Sequence, residues 1–86
     1  MIYRIEFKKS VLKFLVTLDE KYQKQISKAI DRLSKNPHPQ GSLKLSGFPY
    51  YRMRVGRYRI IYEIQDDVLV VVIMRVAHRK DVYRDQ

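Results

Sequence analysis

The segment YYRMRVGRYRIIY, Tyr50 to Tyr62, constrains the fold of this chain more than any other part of it. Arginines and tyrosines alternate with aliphatic residues around a single glycine, Gly56, and no acidic residue falls among them. Alternation at period two marks a strand with one buried face, and a glycine between two such runs marks a hairpin reversal. Residues 50–55 and 57–64 are therefore expected to pair antiparallel. Successive side chains on a strand point to opposite faces. Tyr51, Met53 and Val55, with Tyr58, Ile60, Tyr62 and Ile64, then make an apolar face. Tyr50, Arg52 and Arg54, with Arg57, Arg59, Ile61 and Glu63, make a cationic one. The plainer reading of the second face is a solvated surface, because basic residues protect strand edges. Arginine in place of lysine points instead to phosphate, which the planar guanidinium fork fits.

An apolar hairpin face needs a cover, and the preceding residues supply it. Ile2 to Phe7 alternate as a first strand. Ser10 is expected to cap a short helix in which Val11, Leu12, Phe14, Leu15 and Leu18 recur at three-to-four spacing. A second helix is expected from about Asp19 or Glu20 to Ser34, with Tyr22, Ile26, Ala29, Ile30 and Leu33 on one side. The apolar stripe shifts phase at residues 17–21, which favours a helical hairpin. Asn36 to Ser42, NPHPQGS, stops the second helix through its prolines. Leu43 to Leu45 is read as a short strand, and Gln65 to Asp67 as a turn. Val68 to Ala77, apolar on both faces, is read as the central strand. The expected architecture is α+β, one domain over residues 1–86: an N-terminal strand, a helical hairpin, then a three- to four-stranded antiparallel sheet.

Charge narrows the partners. Eighteen Lys and Arg against nine Asp and Glu leave a formal +9, which calls for an anion, with nucleic acid foremost. A membrane surface fits less well, because its usual signature is a basic amphipathic helix rather than basic strands, and acidic protein partners are equally admissible. The chain has no cysteine, which excludes disulfides and thiolate metal sites. Charges at Arg4, Glu6, Lys8 and Lys9 break up the N-terminus, unlike a signal peptide, so a cytoplasmic location is expected.

No nucleotide fingerprint or nucleophile elbow is present, and no metal or other cofactor is expected from the two histidines and scattered acids. His38, between prolines, reads as a plain loop residue. His78 follows the last strand beside Arg79 and is a candidate for substrate contact or proton transfer, against a simple strand-end role. If that strand runs on, Arg75, Ala77 and Arg79 share a face, and Arg52, Arg54, Arg59, Arg75 and Arg79 converge. Tyr3, Tyr22 and Tyr62 read as core residues, Tyr50, Tyr51 and Tyr58 as core or base-stacking residues, and Tyr83 as an exposed phenol.

The run GFPYYRMRVGRYRIIYEI, followed by VVVIMRVAHRKDVYR, together with the preceding LKLSG, resembles the RelE/ParE superfamily of bacterial type II toxin–antitoxin systems, the RelE branch in particular. The resemblance spans nearly the whole chain. It implies a toxin that acts as a ribosome-dependent, metal-independent endoribonuclease (an mRNA interferase). Such an enzyme cuts mRNA in the ribosomal A site by 2′-hydroxyl attack, inhibits translation under stress, and is held inactive by an acidic cognate antitoxin in a hetero-oligomer. Carried over motif by motif, Arg52 and Arg54 grip the message, Arg59 stabilises the reacting phosphate, Arg79 assists and Tyr83 transfers protons. His78 stands where family members vary. Arg57, Arg75 and Lys44 complete the expected RNA-binding set. Family members often carry lysine where this chain has Arg52 and Arg54, and a longer C-terminal helix is not seen after Tyr83. The rival readings are a ParE-like DNA gyrase inhibitor and a non-catalytic basic RNA- or ribosome-binding protein.

Overall fold

The hairpin forms around a two-residue turn, Gly56–Arg57, between strands Tyr51–Val55 and Tyr58–Gln65. Gly56 takes φ +57 and Arg57 stays at negative φ, the φ pattern of a type II′ turn, which needs glycine at its first central position. The computed structural model describes residues 2–78. In chain order the elements are β1 (Arg4–Phe7), α1 (Lys9–Leu15), α2 (Glu20–Lys35), β2 (Leu43–Lys44), β3 (Tyr51–Val55), β4 (Tyr58–Gln65) and β5 (Val70–His78). They make one five-stranded sheet in the order β1-β5-β4-β3-β2.

The α+β reading holds, with two refinements. β2 to β5 form the expected antiparallel sheet, and β1 joins its far edge parallel to β5, Arg4 opposite Val70 and Phe7 opposite Ile73. β4, not β5, is the middle strand. An apolar run shows that a strand is covered on both faces, but it does not rank interior strands by position.

Both helices lie on one side of the sheet. α2 buries Ile26, Ala29, Ile30 and Leu33, the face set by its three-to-four spacing, against Tyr58, Ile60, Tyr62, Val71, Ile73 and Val76. α1 adds Val11, with Phe14 and Leu15 packed around it. Lys8, not Ser10, takes the N-cap position of α1, and its side chain makes no capping bond. The break between the helices is held by Gln23, whose Nε2 donates to the carbonyls of Leu15 and Leu18 at 2.9 and 3.0 Å. Leu15 is the last residue of α1 and Leu18 lies in the connection, so one side chain of α2 ties both to it. The loop after α2 is tied to the core by the Tyr62 hydroxyl, which donates to the Pro37 carbonyl at 2.9 Å.

Candidate nucleic-acid interface

Among the described residues, the helices occupy one side of the sheet and the cationic set stands on the other. The register fixes its layout. Arg52 of β3 lies opposite Ile61 of β4, which lies opposite Arg75 of β5. One row nearer the hairpin turn, Arg54 opposes Arg59, which opposes Ala77. Directly opposed residues share a face, so Arg52, Arg54, Arg59 and Arg75 stand together on the helix-free side. Adjacent strands are about 4.8 Å apart and alternate residues along a strand about 6.7 Å apart. Their Cα atoms therefore span a patch of roughly 10 by 7 Å, comparable to the spacing of neighbouring phosphates on an extended RNA strand.

Arg75 reaches this face through an irregularity. Val71 and Ile73 belong to the buried core, and strict alternation would carry Arg75 into the core with them. The register instead steps from Tyr62↔Ile73 to Ile61↔Arg75, with Met74 as the extra residue of a β-bulge. Such a residue reverses the parity of the strand beyond it. Val76 accordingly takes the next core position, and Arg75 and Ala77 turn to the arginine side.

The charge on this face is partitioned along the strands. Among the described residues, its acidic residues, Glu6 and Glu63, flank Val72 further from the hairpin turn. There Arg4 donates to Glu6 at 2.9 Å and Gln65 to Glu63 at 2.8 Å. At the other end, Arg54 and Arg59 oppose each other directly, an arrangement that costs stability in a sheet. Arg54 is exposed, Arg52 and Arg75 are half-buried, and Arg59 is only 3% exposed. Arg54 is thus the most accessible guanidinium of the four and Arg59 the least.

Three of the expected site residues lie elsewhere. Arg57 sits in the turn rather than on the strand face. Lys44 is paired with Tyr51, which places it on the helix side of the exposed edge strand β2. His78, whose parity the bulge also reverses, is opposite Tyr58 on the helix side, with its ring 5.6 Å from Tyr58 at 78°. Arg79 and Tyr83 lie outside the described residues. The base-stacking candidates also sort themselves. Tyr58 is buried, with Phe14 and Tyr22 edge-on to it, and Tyr51 is stacked on Tyr62 at 5.9 Å. Tyr50 is half-buried and lies parallel to Phe48, with rings 6.4 Å apart at 6°, and Phe48 is 60% exposed. Sequence reasoning passed over Phe48, although a phenylalanine between Gly47 and Pro49 in a turn has no strand face to fill. Tyr62 is held neutral, because burial pushes its phenol above the ordinary tyrosine range.

Residues 2–83 match the family described as ParE toxin of type II toxin-antitoxin system, parDE. The chain belongs to the RelE/ParE toxin superfamily. Among the curated proteins it is similar to a putative toxin RelE1 of Methanocaldococcus jannaschii, 29% identical over 89 residues covering 99% of each chain. Among solved structures, the archaeal RelE–RelB complex from Pyrococcus horikoshii is similar at 30% identity and a TM-score of 0.83, over 92% of this chain and 97% of that one. The isolated E. coli RelE toxin is similar at 26% identity and a TM-score of 0.78, over 96% of this chain and 93% of that one. This RelE-type protein is a toxin of a type II toxin–antitoxin system. The arginine patch of this toxin occupies the side of the sheet opposite both described helices.

Proposed function

We propose that this RelE-type toxin is an endoribonuclease that cuts messenger RNA in the ribosomal A site and so inhibits translation. The observation that carries the reading is the convergence of Arg52, Arg54, Arg59 and Arg75 on the helix-free face. In the reaction, the 2′-oxygen attacks the adjacent phosphorus and the bond to the 5′-oxygen breaks, leaving a cyclic phosphate and a 5′-hydroxyl. A proton must leave the 2′-hydroxyl, extra charge on the phosphorane must be stabilised, and the leaving oxygen must gain a proton. Arg52, Arg54 and Arg75 hold the strand. Arg59 bears the phosphorane charge through two parallel N–H···O bonds, which lysine cannot reproduce. Arg79 assists, and Tyr83 carries the proton transfer. His78 packs against Tyr58 on the other side of the sheet, so the proton work falls to Tyr83.

The solved relatives include complexes of RelE with RelB. By likeness, the partner here is an acidic cognate antitoxin with a segment that folds on contact, which would neutralise part of the +9 charge. A second reading, inhibition of DNA gyrase, is favoured by the ParE description of the matching family. Brief expression in a bacterial host separates the two. Primer extension should show breaks phased to codons in translated messages, with chromosomal DNA intact. Intact messages with broken DNA would replace the nuclease by the gyrase inhibitor, and growth with neither lesion would leave a basic binding protein.

A further inference from the structure

A second cationic concavity lies around the rim of the arginine face. A groove of about 400 Å³ separates α2 from the edge of β3, bordered by Lys28 and Arg32 of α2 and by Arg54 of β3, with Gln25 and Gln40 beside them. Ala29 and Met53 contribute apolar lining. The groove stays open because β2 covers only Tyr51 and Arg52 of β3. Beyond Arg52, among the described strands, β3 is paired on its β4 side alone. At the groove's end the hairpin turn comes close to α2, since a Cβ at Gly56 would stand 3.5 Å from Gln25 Oε1.

No acidic residue lines this groove among the described residues. Among the described residues, Lys28, Arg32 and Arg54 make no ion pair, whereas Lys24 on the same helix pairs with Glu20 at 3.2 Å. Asp31, next to Arg32 in the chain, lines a different hollow with Ile5 and Phe7. Lys28 and Arg32 are exposed and one helical turn apart, a like-charge spacing that weakens a helix. Charges from two separate elements thus converge on a hollow without local compensation, and Arg54 belongs both to this groove and to the arginine face.

We propose that this groove is a second RNA-binding surface, which holds the phosphate backbone of the strand continuing past the arginine face. The proposal takes from the nuclease reading only that the polyanion is RNA; it requires no cleavage. The test is equilibrium binding of the full chain to uncleavable 2′-O-methyl oligonucleotides of about 12 and about 4 nucleotides across a salt series. Lys28→Ala/Arg32→Ala should weaken binding of the longer strand about tenfold at low salt and reduce its log–log salt slope by about 1.4, two phosphate contacts at about 0.7 each. Binding of the shorter strand should stay as in the wild type. Lys28→Gln/Arg32→Gln should behave alike, and it keeps the test open if the alanine pair folds poorly. Lys9→Ala/Lys13→Ala removes the same charge from exposed positions of α1 and should have little effect.

An unchanged slope for the groove variants overturns the proposal, and so does an equal loss from the α1 variant or from the shorter strand. Normal RNA binding combined with lost affinity for an oligoglutamate peptide would make the groove a protein-docking site instead. Failure of the wild type to cut messages would leave every one of these comparisons intact.

Discussion

At the residue scale, what decides a role is the face on which a side chain lands and how deeply it is buried. Arg59 and His78 lie in neighbouring strands, yet the pairing of Arg59 with Ala77 and of His78 with Tyr58 puts them on opposite sides of the sheet. The chemical types were legible in the sequence: arginines on one hairpin face, and Tyr62 in the core. The partner of His78 was not, because nothing local to AHRK encodes the parity of the strand before it. Tyr62 offers a test of its own. Its hydroxyl donates to the Pro37 carbonyl, so Tyr62→Phe should cost about 1–2 kcal/mol in urea denaturation at neutral pH. Burial raises the Tyr62 pKa above its ordinary value of 10.0. The folded state therefore keeps a proton that the unfolded chain sheds, and the associated stability is full below about pH 10 and lost as pH rises through the folded value. The gap between wild type and Tyr62→Phe should accordingly narrow above about pH 10. A gap that widens with pH would refute that assignment.

At the element scale, the hairpin and the bulge set the geometry. The hairpin was readable because its two faces differ in chemistry, and alternation then reports strand and register together. The bulge was not, because Val68 to Met74 is uniformly apolar and shifting such a run by one residue leaves its pattern unchanged. The parallel pairing of β1 with β5 was hidden for a related reason: an alternating strand shows which face is buried but not which neighbour it has. Deleting Met74 would force either Arg75 into the core or the strand out of register, and should cost at least about 3 kcal/mol. Met74→Leu, which keeps the extra residue, should cost less than about 1.5 kcal/mol. Equal stabilities for the deletion and the wild type would show that the extra residue sets no parity. Gly56→Ala meets no close atom, the nearest being Gln25 Oε1 at 3.5 Å, so its cost should be that of a left-handed φ, about 1–2 kcal/mol. Urea denaturation measures both.

At the scale of the whole molecule, six of the eighteen Lys and Arg stand on an arginine face or a helix-side groove that share Arg54. Four phosphates held on the arginine face alone should give single-stranded RNA a log–log salt slope of about −3, and a slope near zero would show that the patch is merely solvated. RNA that binds only the folded state should also raise the midpoint of thermal unfolding, logarithmically with RNA concentration above Kd. The most direct test is cleavage of a defined message on programmed ribosomes by purified toxin, wild type against Arg59→Lys. That substitution keeps the positive charge and most of the buried stem while removing the fork. Codon-phased cuts by the wild type, dependent on ribosomes and reduced at least about a hundredfold in Arg59→Lys, are the predicted result. Equal cutting by the two proteins, or an uncut message with the wild type, would contradict it.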